Sequence, residues 1–158
     1  MNVDILTKAS FSVIGKEGSG LASDGMQWVP PLWREAEAHF DEIAQLAKYD
    51  DQGRILGLWG AMTDPGHAFK PWASHGKYLA GVEVEHGAEA PVGWCQWTIP
   101  AFRFVVAPCS KADYASVFHA VLDEYFPAHG HVLAGAVQEC YADGGGDTLA
   151  LYFPIERL

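Results

Sequence analysis

The order strand, helix, strand, strand is written twice in this chain, and a repeat of that kind restricts the fold more than any single motif does. FSVIG from Phe11 and FRFVV from Phe102 open the two copies, 91 residues apart; Met62-Thr63-Asp64 and Tyr141-Ala142-Asp143 stand 79 apart, and Leu79-Ala80 and Leu149-Ala150 stand 70 apart. The offsets fall because the first copy has the longer loops, which tolerate insertion where elements do not. The expected fold is α+β: a duplicated strand-helix-strand-strand module forming an antiparallel sheet with two helices on one side. Residues 1–158 read as one domain with repeats at about 8–86 and 101–158. Two such modules bury their apolar faces together and leave a central groove at the pseudo-twofold junction, where ligand sites tend to lie.

Periodicity places the elements. FSVIG, ended by Gly15, Gly18 and Gly20, reads as a first strand. Trp33, Ala36, Phe40, Ile43, Ala44 and Ala47 have helical spacing, with Pro31 in the first turn. Arg54 to Met62 and Lys77 to Glu85 read as strands, Thr63 to Gly76 as a long connection folded over a pocket, and His86 to Pro100 as an irregular stretch packed on the domain. Phe102 to Ala107 reads as a strand, and Tyr114, Val117, Phe118, Val121, Leu122 and Tyr125 as a helix ended by Pro127 and Gly130. Val132 to Tyr141 and Thr148 to Ile155 then form a hairpin through Asp143 and three glycines.

Composition narrows the function. With 49% hydrophobic and 19% charged residues the chain can bury a core, and no apolar run approaches the length of a membrane span. The first residues carry no secretory signal pattern, so the expected location is the cytoplasm. A net charge of −10 has the wrong sign for neutralising phosphates, so direct nucleic-acid binding is not expected; an acid excess of this size suits solubility or cationic ligands. Cys95, Cys109 and Cys140 are odd in number and lack a CxxC spacing, and the seven histidines have no metal-ligand spacing. No metal and no cofactor are expected. There is no GxSxG elbow or phosphate-binding glycine loop either.

The six tryptophans and 13% aromatic content exceed what core packing asks of so short a chain, and some rings are expected to line a pocket. In VLAGAVQECY the two-residue period puts Val137, Glu139 and Tyr141 on one face. A carboxylate between an apolar and an aromatic side chain has two readings: a solvated hairpin edge, or a partly buried acid at a groove floor that binds a cation or acts as a general base. Glu83 and Glu85, alternating with Val82 and Val84, read as a solvated strand face. Gly57 and Gly60, on either side of Trp59, mark either a bulge or a close approach by ligand or backbone.

Taken together, FSVIGKEG, LWREAEAHF, ILGLWGAMTD, KYLAGVEVE, IPAFRFVVAPCS, VFHAVLDEYFPAHG, VQECYAD and TLALYFPIERL cover nearly the whole chain. In these the chain resembles the GyrI-like small-molecule-binding family, related to the effector-binding domains of AraC- and MerR-type bacterial transcription regulators. The Glu139-x-Tyr141 pair and the closing Tyr152-Phe153-Pro154-Ile155 are the most specific part. The resemblance implies a groove in which an acid at the position of Glu139, ringed by aromatics, pairs with lipophilic cations. Glu139 and Tyr141 carry over directly, whereas Trp59, Trp72, Tyr78, Trp94 and Trp97 are pocket candidates from their places in glycine-containing strands and loops. The resemblance implies a stand-alone binding module for a small molecule. Some members of the family hydrolyse reactive toxins, which would make Glu139 a general base with Tyr141 or Tyr78 orienting or protonating the substrate. The founding member inhibits gyrase through protein contact, a third and weaker implication. A helix-turn-helix domain is not expected within these residues, so a regulatory role is expected to need a partner protein, and Val137 stands where relatives often carry a bulky aromatic.

Overall fold

The computed structural model describes residues 2–142 and 146–158. Its strands are β1 Asp4–Lys8, β2 Phe11–Leu21, β3 Leu58–Thr63, β4 His75–Val84, β5 Cys95–Ile99, β6 Phe102–Ser110, β7 Gln138–Tyr141 and β8 Thr148–Arg157. They form one antiparallel sheet in the order β1-β6-β8-β7-β3-β4-β2-β5. Two helical runs pack on it, α1 Gly25–Ala38 and a second of α2 Tyr114–Ala120, a π turn Val121–Tyr125 and α3 Phe126–His129, closed by Gly130 in the left-handed conformation.

Register exposes the internal symmetry. Carrying β2 onto β6 by 91 residues turns Ile14↔Val82 into Val105↔Phe153, which requires 71 residues between β4 and β8. With 71, Met62↔Tyr78 becomes Tyr141↔Leu149, which requires 79 between β3 and β7. The matches of 91 and 79 agree with the ladders. The match of Leu79-Ala80 to Leu149-Ala150 is one residue out: Tyr78 is the counterpart of Leu149, and a one-residue slip would put every side chain on the wrong face.

Two strands lie outside the repeats read from sequence. Asp4↔Val106 to Lys8↔Phe102 and Phe11↔Ile99 to Gly15↔Cys95 share a single register, interrupted only at residues 9–10 and 100–101. Thus β1 runs on into β2 and β5 into β6, one bent ribbon whose ends are the two edges of the sheet. A flat eight-stranded sheet would hold β1 about 29 Å from β2, and β5 equally far from β6, and a two-residue link spans only about 10 Å, so the sheet must curl. It is not closed into a barrel. On the inner face, rings two strands apart meet: Phe11 and Trp59 at 4.6 Å, Trp59 and Tyr152 at 5.0 Å. The outer face carries both helical runs, with Ile14, Ala80 and Val82 under α1 and Val105, Leu151 and Phe153 under α2 and α3.

Several local readings shift. The first helix starts eight residues before Trp33 and ends at Ala38, with Pro30 and Pro31 inside it; residues 40–46 are 3₁₀ turns that still bury Ile43. The glycines after FSVIG do not end the strand. Gly18 and Gly20 lie under Leu32 and Trp28 of α1, where a Cβ would stand 2.8 and 2.7 Å from those side chains, so they admit the helix onto the sheet. Pairing in β3 and β7 is shorter than the apolar runs suggested, beginning at Leu58 and Gln138. Asp143, Gly144 and Gly145 of the hairpin turn lie outside the described residues.

Candidate functional site

Glu139 stands on the outer face of β7, opposite Gly60 of β3, where the two halves of the sheet join. It is 7% exposed and accepts three phenolic hydrogen bonds: from Tyr78 of β4 at 2.5 Å and Tyr141 of β7 at 2.9 Å on Oε1, and from Tyr114, the first residue of α2, on Oε2. The indole of Trp33 on α1 donates to the Tyr78 hydroxyl at 2.9 Å. Its ring stands edge-on to Tyr141 at a 5.2 Å centroid separation. One carboxylate therefore gathers side chains from both helical runs and both halves of the sheet.

Gly60 makes the convergence sterically feasible. A Cβ there would lie 1.9 Å from the Tyr78 hydroxyl and 2.5 Å from Oε1 of Glu139. This is the close approach that glycine in a strand can signal.

Burial pushes the Glu139 carboxyl above the ordinary carboxylate range, and the three hydroxyls donated to its ionised form oppose the shift without cancelling it. Burial and the Glu139 charge drive Tyr78, Tyr114 and Tyr141 upward, so the phenols stay neutral donors. Among the described residues no cation pairs with Glu139, whose salt-bridging potential is unused. The outcome is a carboxyl group ringed by phenol donors in a low-dielectric aromatic setting, beside the half-buried Trp33, Tyr114 and Tyr141.

Of the residues singled out from sequence, the structure brings Glu139, Tyr141 and Tyr78 together. The others are elsewhere. Trp59 and Trp97 are on the inner face, bonded to Glu83 at 3.1 Å and Glu17 at 2.7 Å. Trp72 stacks on Trp28 over the far end of β4, and Trp94 bonds Glu42 and lies 4.0 Å from the Lys16 ammonium. In the sequence Trp33 and Tyr114 show only the spacing of apolar helix positions; the signal for more is that a buried Tyr or Trp needs a partner for its polar tip.

Glu83 corrects the solvated reading. It is 5% exposed on the inner face and pairs with Lys8 at 3.4 Å and Lys48 at 3.5 Å, while Glu85 is exposed. The curl of the sheet, which no local pattern shows, turns that face inward. Among the described residues no group of three metal-ligating side chains occurs, and no helix is long and apolar enough to cross a membrane. A surface cleft of about 550 Å³ at the β3–β4 connection, lined by Ser19, Lys70, His75 and Lys77 among others, contains no member of the Glu139 cluster.

No protein-family model matches the chain, and no curated protein matches it in sequence. Solved structures do. The structure of SAV2435 bound to tetraphenylphosphonium is similar with a TM-score of 0.69 at 14% identity, over 99% of this chain and 94% of that one. A putative bacterial transcription regulation protein from Staphylococcus aureus MU50 gives 0.66 at 15% identity, over 99% of both chains. The EcmrR C-terminal domain gives 0.60 at 15% identity, over 99% and 98%. This chain shares their fold. It is the fold that the GyrI-like resemblance implies, reached without a sequence match.

Proposed function

We propose that the chain is a GyrI-like small-molecule-binding module whose Glu139 site takes a lipophilic, aromatic cation. The observation that carries the reading is the buried Glu139 carboxylate, held by three hydroxyls and paired with no cation among the described residues. A diffuse cation lying on Trp33 and Tyr141 would gain cation–π contact worth about 0.5 to 2 kcal/mol per ring and the field of the carboxylate beneath. That SAV2435, of the same fold, is bound to tetraphenylphosphonium supports the class of ligand.

The test is quenching of tryptophan fluorescence by tetraphenylphosphonium and by neutral triphenylphosphine oxide, in the native chain and in Glu139→Gln. Saturable quenching by the cation, weakened on the order of tenfold or more in the variant, is the expected result. Equal binding of both compounds, or of neither, overturns it.

A hydrolytic reading has one observation in its favour: Tyr78 and Tyr114 bond opposite oxygens of Glu139, so a proton acceptor and proton donors stand together. Glu139 would then activate a water while Tyr78 or Tyr141 orients or protonates the substrate. Glu139→Gln separates the two readings, because it would abolish turnover while leaving a neutral substrate bound.

A further inference from the structure

The main-chain ladder at the junction of the two halves is short. Between β3 and β7 it runs from Leu58↔Tyr141 to Gly60↔Glu139 and stops. There a side chain takes over. Gln138, 1% exposed, accepts from the Met62 N–H at 2.8 Å and donates to the Met62 carbonyl at 3.0 Å and the Ala136 carbonyl at 3.2 Å. A primary amide carries the donor and acceptor of a peptide unit, so Gln138 makes with Met62 the two-bond exchange that an antiparallel residue pair makes.

The placement bears on the site. Met62 is the ladder partner of Tyr78, and Gln138 is the residue before Glu139. Both ends of the Tyr78–Glu139 hydrogen bond are therefore referred to one buried amide. A second tie reinforces it: Ala136 donates to the Phe69 carbonyl at 2.9 Å, and the Phe69 N–H donates to the Thr63 hydroxyl at 2.9 Å. Phe69 and His67 hold this connection with φ of 58°, a backbone state uncommon outside glycine and found where surroundings enforce it. An apolar side chain at 138 would cost less to bury than an amide; what the amide adds is direction.

We infer that Gln138 is the positioning residue of the Glu139 site, setting the strand spacing at which the Tyr78 hydroxyl meets the carboxylate. The affinity measurement below rests on the cation-binding reading, and the titration does not.

Carboxyl-carbon NMR of Glu139 and tetraphenylphosphonium binding are measured in the native chain, Gln138→Met and Gln138→Asn. Methionine keeps the length and loses both bonds; asparagine keeps the amide but falls a methylene short of Met62, so it serves if methionine does not fold. Losing the Tyr78 donor removes support for the ionised form, so the Glu139 midpoint rises in both variants, and affinity falls roughly tenfold, the scale of one unsatisfied buried group. A folded variant with the native midpoint overturns the inference. A raised midpoint in a protein whose native form ignores the cation upholds the positioning role and removes the binding reading instead.

Discussion

Gly60 and Glu139 face each other across the junction of the two half-sheets, and they are counterparts under the symmetry that relates those halves. One half supplies the charge and the other supplies the absence of a side chain. The duplicated fold thus builds an asymmetric site on a symmetric frame.

Gly60→Ala follows directly. The added methyl would displace the Tyr78 hydroxyl, which has no room to retreat because Tyr78 is 1% exposed. Overpacking of this kind costs about 1 to 3 kcal/mol, and the cation affinity should fall with it. Urea denaturation and fluorescence titration check the two effects, and native-like values for both would mean that the contact is unimportant.

How much of this was legible depended on range. The repeat, its offsets of 91 and 79, and Glu139 with Tyr141 on one face came from local patterns that the ladders support. The offset of 70 failed because Leu-Ala recurs on both sides, and only ladder register shows which leucine faces outward. Glu83 alternates with valines as a solvent-facing residue would, and only the curl of the sheet buries it. Tryptophan count does not say which ring meets Glu139 and its tyrosines: Trp33 reaches that cluster because α1 crosses two glycines of β2, a tertiary fact.

Stability should vary with pH through Glu139. Its folded-state titration lies above the unfolded value, so the native state binds the extra proton between the two. Its contribution to stability is present in full below the ordinary carboxylate value and declines as pH rises through the raised one. Melting temperature should therefore fall across that window in the native chain, and the fall should be shallower in Glu139→Gln. Parallel pH profiles would contradict the assignment.

Glu83→Gln tests the opposite face. Removing the charge leaves Lys8 and Lys48 facing a neutral amide, and since both lysines are partly exposed, at 26% and 31%, the loss should be about 1 to 2 kcal/mol, below that of a fully buried pair. Cation binding should be unchanged, because the sheet separates Glu83 from Glu139. A coupled loss of affinity would show that the two faces communicate.

Trp33 should dominate the optical signal of binding. Its indole bonds Tyr78 and its ring stands against Tyr141, whereas Trp59 and Trp97 face the other side of the sheet. Trp33→Phe keeps an aromatic surface but removes both the fluorophore and the N–H donor. Most ligand-dependent quenching should vanish, while Trp59→Phe and Trp97→Phe should retain it if they fold. Calorimetry separates signal from affinity: the lost hydrogen bond, worth about 0.5 to 1.5 kcal/mol, should weaken binding by roughly two- to tenfold. Quenching that survives in Trp33→Phe and disappears in Trp97→Phe would move the binding face to the inside of the curled sheet.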